Sequence, residues 1–411
     1  MVCNNLGKVC IVAAKRSPIG AFGGCFSEIS AVELGEQTLR GTLPAEKYSD
    51  CSGKESGAFT EAPLYSYCGC TLQAGLGQNP CRQIVGRALG RSVFTAMTIN
   101  QMCGSGITAI ILASNAIASR KTEIAIACGI ESMSGAPFLL SKARFGYRKG
   151  NNELIDHIQK DGLEDAYYQQ PMVYFAEETA KANNISREEA EEYALLSFSR
   201  ARHAISNNFL SEEIVPIRKA AGREHEESRE EFYAVDECVA RVIPKKFTKL
   251  RPVVPGGILT PATISPFADG AASLVITSEE MSLKCGAPTL AHIIGYAYSA
   301  VDPREFTKAP IPAIQQVCEN VGWRLEDVDL FEVNEAFATV PLMVVRHLKI
   351  PLERMNVNSG ACVYGHPLGC SGARIVVSLL YSMKRLKKKR GVAAVCVGGG
   401  EGIAIALELP Q

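Results

Sequence analysis

Neither sign of charge prevails in this chain: 43 Lys and Arg stand against 43 Asp and Glu, a formal net charge of +0. The broad basic field of a nucleic-acid binder is missing, so any anionic ligand must be met by a few local cations. No apolar run reaches the ~18 residues of a membrane span, and no membrane partner is expected. With six histidines, and with Cys68 and Cys70 unaccompanied by a second pair at zinc-finger spacing, no metal site is expected either. Fifteen cysteines are not scarce, yet residues 1–5 begin no secretory signal and the chain does not end in a Ser-Lys-Leu type of address. The thiols are therefore expected to be free, in a reducing, cytoplasmic setting.

What is present is an α/β pattern. At 411 residues, two or three domains are expected. Short apolar runs at 9–14, 124–127 and 392–397 read as buried strands; the nearly all-apolar stretches 107–118 and 373–383 read as helices covered on most of their surface. Cys103 opens one such helix and lies 25 residues before Cys128, while Cys370 opens another and lies 26 before Cys396. That echo suggests two similar halves. Between residues 141 and 249 the texture turns charged, an excursion containing a helix over 186–209 whose Ser186 and Glu189 form a capping box. The chain returns to the core at 268–276, a small-residue helix start or strand. The basic run 384–390 suits a helix C-terminus, and 48–63 reads as a polar surface loop.

Three separated segments carry nucleophiles or bases beside glycine: Cys103-Gly104-Ser105-Gly106, Gly365-His366-Pro367-Leu368-Gly369 and Cys396-Val397-Gly398-Gly399-Gly400. A thiolate exchanges an acyl group with another thiol readily, because entering and leaving groups are chemically alike. A helix N-terminus at Cys103 would lower its thiol pKa, although a free cysteine is more often simply buried. His366, in an open turn, can accept the thiol proton. The glycines after Cys396 can bring N–H groups to an oxyanion or cradle a phosphate. Asn334, in Asn334-Glu335-Ala336-Phe337-Ala338, holds a water or an imidazole, or else caps the following helix.

Together and in this order these four segments resemble the thiolase family, and the likeness extends to residues 11–20, 72–80 and 129–134. The resemblance implies a layered αβαβα fold: residues 1–132 with 268–289 as an N-terminal half, 133–267 as an inserted loop domain and 290–411 as a C-terminal half. It further implies that Cys103 is the acylated nucleophile and His366 its base, and that Cys396 removes the α-proton of a second acyl-CoA. Asn334 and His366 would hold the enolate oxygen, and the N–H groups of Cys103 and Gly398 the thioester oxyanion. Coenzyme A, a substrate and not a tightly bound cofactor, would meet Arg241, Lys246 and Ser265. The implied reaction condenses two acetyl-CoA, or runs in the thiolytic reverse, in a homodimer or homotetramer. The alternatives are a longer-chain 3-ketoacyl-CoA thiolase and a non-catalytic acyl-CoA-binding protein.

The chain departs from the family pattern at four places, one of them the stretch 48–63, where helix and strand are expected. Pro171-Met172-Val173 stands where short-chain members carry His-Met-Gly, which removes a coenzyme-contacting imidazole. Phe198 replaces the tyrosine of potassium-activated members. Glu401, where Met or Gln is usual, places a carboxylate near Cys396 and is expected to raise that thiol's pKa by like-charge repulsion.

Overall fold

The computed structural model describes residues 9–43, 64–90, 92–219 and 231–410. The segment 48–63, read as a surface loop, lies outside them. Nine strands form the main ribbon: β1 (Val9–Arg16), β2 (Leu64–Gly69), β3 (Thr95–Ile99), β4 (Ile124–Ser132), β5 (Ala268–Ser278), β6 (Ala291–Ala300), β7 (Leu330–Val333), β8 (Arg390–Val397) and β9 (Glu401–Glu408). Their order is β7-β8-β9-β6-β1-β5-β4-β2-β3. Segment 268–276, which the sequence left open between helix and strand, is thus part of a central strand, flanked antiparallel by β1 and β4.

The echo between the two cysteine-bearing segments is structural. In one half β1, β5, β4 and β2 follow one another with antiparallel, antiparallel and parallel pairing. In the other, β6, β9, β8 and β7 repeat that sequence of pairings. The halves join where β1 and β6 pair at only two positions, Cys10 with His292 and Ile11 with Ala291. So short a seam makes the ribbon two sheets that share an edge.

The longer helices are α1 (Ala31–Thr42), α2 (Pro80–Leu89), α3 (Ser105–Ala118), α4 (Met172–Ala182), α5 (Arg187–Ser206), α6 (Pro310–Val321), α7 (Thr339–Leu348) and α8 (Leu368–Leu386). Helices α3 and α8 lie between the sheets, where Ile107, Ile110, Ile375 and Leu379 share a core with Leu274, Ile276, Val395 and Ile405. Their nearly continuous apolar sequence follows from having a sheet on each side. Helices α1 and α2 cover the outer face of one sheet through Leu34, Leu39, Ile84 and Val85. Helices α6 and α7 cover the other through Ile314, Val317 and Val344. The result is the αβαβα layering that the family resemblance implies. Each fully buried Ile or Leu in these cores contributes roughly 1.5–3 kcal/mol.

In the excursion, Ser186 and Glu189 cap α5 as expected: the Glu189 N–H donates to Ser186 Oγ at 3.1 Å and the Ser186 N–H to Glu189 Oε2 at 2.8 Å. The basic run finds partners inside the molecule. Lys384 pairs with Glu212 at 2.5 Å, and Lys389 with Glu408 at 3.7 Å.

Candidate active site

The site is built where the N-terminal ends of α3 and α8 touch backbone to backbone. A Cβ on Gly106 would lie 2.4 Å from the Ala373 nitrogen, and one on Gly372 would lie 2.5 Å from the Ile107 nitrogen. Only glycine permits that approach. The crossing brings two residues 263 positions apart into contact: His366 Nε2 lies 3.2 Å from Cys103 Sγ.

Cys103 sits in the turn from β3 into α3, whose first helical residue is Ser105. The preceding Met102 has φ of 49°, a left-handed conformation that costs a non-glycine residue of order 1 kcal/mol. Ser105 Oγ holds the turn by accepting from the Gln101 N–H at 2.8 Å and donating to the Met102 carbonyl at 2.7 Å. Asn100 Oδ1 accepts from the Met102 N–H at 3.0 Å.

His366 enters through the short turn before α8. Its Nδ1 lies 2.6 Å from Ser371 Oγ, which donates to the Pro367 carbonyl at 3.0 Å. A hydroxyl whose proton is already committed accepts from the ring, which assigns the proton to Nδ1 and leaves the Nε2 lone pair facing Cys103. Burial holds the imidazole neutral, lowering its pKa to about 3, with the Arg374 cation adding to the effect. Burial also pushes the Cys103 thiol up to about 12, although the backbone N–H groups of Cys103 and Gly398 pull it down. The thiol pKa lowered by a helix terminus, expected from the sequence, is therefore not found: desolvation outweighs the backbone donors. The resting pair is a neutral thiol beside a neutral imidazole.

Cys396 is the last residue but one of β8, buried, and its thiol is raised by burial first and by the nearby Cys103 second. Glu401, expected to be the cause, is instead engaged by Gln101, whose Nε2 donates to Glu401 Oε2 at 2.6 Å. Of the three glycines that follow Cys396, Gly398 lines the cavity. Gly399 and Gly400, both at φ of 94°, make the turn into β9. Asn334 does not cap a helix, since Ala338 precedes α7. Its Nδ2 lies 3.4 Å from each nitrogen of His366, so the amide faces the imidazole.

A cavity of about 610 Å³ opens over this cluster, with Cys103, His366 and Gly398 in its wall. Much of the rest is apolar, including Met133, Leu163, Met172, Phe306 and Phe337. Ser265 also lines it, and its Oγ donates to the Ala336 carbonyl at 3.0 Å. Arg241 and Lys246 lie outside the lining, both exposed, with Arg241 paired to Glu237. Pro171 is in the wall, so the imidazole missing from the sequence is replaced by a group with no hydrogen to donate. Phe198 is buried against Ile19 and Ala201. Among the described residues no group of three or more His, Cys, Asp or Glu is arranged to hold a metal ion.

Residues 9–280 match the thiolase N-terminal domain and residues 287–409 the thiolase C-terminal domain. The chain belongs to the thiolase family. An acetyl-CoA acetyltransferase of Cupriavidus necator is 38% identical over 402 residues, covering 97% of this chain and 99% of that protein. The Acat5 thiolase of Ascaris suum, solved in complex with coenzyme A, superposes with a TM-score of 0.86 at 35% identity, over 98% of this chain and 100% of that one. The human mitochondrial 3-ketoacyl-CoA thiolase gives 0.90 at 34% identity, over 99% and 100%. This thiolase is accordingly an acyltransferase.

Two polar residues of the site were not singled out in the sequence. Ser371 orients His366, and Arg374 donates from Nη2 to Asn334 Oδ1 at 3.1 Å. The signal for Arg374 was present, an arginine within the nearly all-apolar stretch 373–383 that turns out to be buried to 1% exposure. Its partner across the helix was not readable.

Proposed function

We propose that this thiolase is a reversible acetyl-CoA C-acetyltransferase that joins two acetyl-CoA into acetoacetyl-CoA and CoA, or cleaves that product with CoA. The reading rests on the 3.2 Å contact between His366 Nε2 and Cys103 Sγ beneath a cavity that Gly398 also lines. Cys103 attacks the thioester carbonyl carbon while its proton passes to His366 Nε2. The C–S bond to coenzyme A breaks, and the departing thiolate takes the Cys396 proton and leaves as CoA thiol. Cys396, now the thiolate, removes an α-proton from the second acetyl-CoA. The resulting enolate oxygen is held by protonated His366 and by a water on Asn334, and its carbon attacks the acetyl group on Cys103. Backbone N–H groups of Cys103 and Gly398 hold the tetrahedral oxyanion. Collapse expels the Cys103 thiolate, which recovers its proton from His366.

Such a division suits the chemistry, because an α-proton beside a thioester is weakly acidic and its removal needs hydrogen bonds that strengthen as the enolate forms. Coenzyme A would enter along the Ser265 wall, with Arg241 and Lys246 near its phosphates. The same reading carries the division into residues 1–132 with 268–289, 133–267 and 290–411, a homodimer or homotetramer, and a cytoplasmic place. Among the described residues no helix is long and apolar enough to cross a membrane.

One observation favours the longer-chain alternative: the apolar wall around Met172, Leu163 and Phe306, with Pro171 beside it, has room for more than an acetyl group. Incubation with acetyl-CoA followed by mass analysis of the Cys103 peptide, and then thiolysis rates across 3-ketoacyl-CoA lengths, tests both readings. The short-chain reading expects an acetyl adduct on Cys103 and fastest turnover at four carbons. Rates that climb steadily with length overturn it in favour of the longer-chain reading. No adduct with coenzyme A still bound supports a non-catalytic binder.

A further inference from the structure

Arg374 is the one buried cation within reach of both the Asn334 amide and a buried carboxylate among the described contacts. Its Nη2 donates to Asn334 Oδ1 at 3.1 Å, and its Nη1 donates to Glu332 Oε1 at 3.3 Å. All three side chains are nearly inaccessible to solvent. A primary amide can present either end to its surroundings, and which end faces where is settled by the hydrogen bonds it makes. A guanidinium has only donors, so it can be satisfied by Asn334 in one orientation alone, with Oδ1 toward Arg374 and Nδ2 toward His366.

We propose that Arg374 is a positioning residue for the condensation step, fixing the Asn334 amide with its N–H donors toward the water that would hold the enolate. The proposal rests on the role given to Asn334 above. Were the amide free to turn over, an acceptor oxygen would face that water and take one of its two hydrogens, and the site would lose the N–H that polarises it when the enolate forms. Glu332 completes the device. As the residue two before Asn334, near the end of β7, it holds the guanidinium from the strand that leads directly into the amide, so Arg374, Glu332 and Asn334 keep a fixed relation. Burial raises the Glu332 carboxyl to about 8 while Arg374 draws it down. Arg374 also adds to the lowering of the His366 pKa.

The test separates positioning from folding and from the underlying reading. Removing Arg374 alone would leave Glu332 buried without its partner, so the first variant is the pair Arg374→Met with Glu332→Gln. It is compared with Asn334→Ala and with the triple variant, measuring Cys103 acetylation by quenched-flow mass analysis and condensation by steady-state kinetics. The expected result is acetylation within about threefold of the parent, condensation kcat lowered on the order of 10²-fold, as for loss of one oxyanion donor, and KM for acetyl-CoA nearly unchanged. The triple variant should be no slower than Asn334→Ala, because Arg374 acts through that amide. Arg374→Lys, which keeps a cation beside Glu332 but lacks the fork, should fold and condense about tenfold more slowly; it carries the test if the paired variant does not fold. Normal condensation in a folded paired variant or in Arg374→Lys overturns the proposal, as do losses that multiply in the triple variant. If Asn334→Ala itself condenses normally, the role of Asn334 fails first, and this proposal falls with it.

Discussion

Replacing Ser371 by alanine isolates the part of catalysis that depends on how His366 is held. In the native protein Ser371 Oγ donates to the Pro367 carbonyl and lies 2.6 Å from His366 Nδ1, so Nε2 keeps its lone pair toward Cys103. Alanine leaves the buried Nδ1–H without an acceptor, since the Asn334 Nδ2 beside it can only donate, at a cost of about 1–3 kcal/mol. If that cost falls on the competent tautomer, acetylation slows by roughly 5- to 150-fold, since each 1.36 kcal/mol is tenfold. Because the hydroxyl touches neither thiol, the loss should appear in the first half-reaction, in acetyl transfer to Cys103 and in Cys103 alkylation by iodoacetamide alike. Ser371→Thr, which keeps the hydroxyl, should recover most of the rate. Acetylation and alkylation of Ser371→Ala at the parent rate would refute the orienting role, as would a loss confined to condensation.

Other outcomes follow from the same geometry. Cys396→Ala should still take an acetyl group on Cys103 but lose condensation by 10²–10⁴-fold, the range of a missing general acid or base, whereas Cys103→Ala should show neither; peptide mass analysis and turnover check both. The folded His366 pKa of about 3 lies below its ordinary 6.5, so its contribution to stability is fully present above pH 6.5 and is lost as pH falls from there toward 3. Urea midpoints over that window should fall more steeply for the parent than for His366→Asn, and parallel profiles would count against a buried neutral ring. Gly106→Ala sets a methyl 2.4 Å from a backbone nitrogen, forcing α3 and α8 apart; calorimetry should show a loss of about 1–3 kcal/mol, together with slowed acetylation. Glu335 accepts from Tyr193 Oη at 2.8 Å, Asn356 Nδ2 at 3.0 Å and the Cys362 N–H at 3.1 Å. Glu335→Gln turns one acceptor into a donor facing donors, so denaturant unfolding should show about 1–3 kcal/mol of lost stability.

Much of the architecture was legible because burial leaves a local trace. A segment packed on both faces must be apolar throughout, which marked β1, β8, α3 and α8; the cap of α5 is likewise a four-residue matter. The cysteines and His366 were legible as candidates because glycine beside a nucleophile leaves room for a substrate. Segment 268–276 was not, since small residues suit a strand wedged between neighbours as well as a helix start, and only pairing with β1 and β4 decides.

The sequence by itself determined which groups are available: two thiols, one imidazole, an amide and the glycines that let α3 and α8 meet. Their protonation states were decided by the tertiary structure. A helix terminus argues from neighbours in sequence for a lowered Cys103 pKa, whereas burial by two sheets and two helices raises it to about 12 and drops His366 to about 3. Partners were decided there too. Glu401 turns to Gln101, 300 residues earlier, and Arg374 reaches Asn334 across 40. Desolvation and long-range hydrogen bonds depend on what the folded chain places alongside a group, and no local stretch of sequence contains that information.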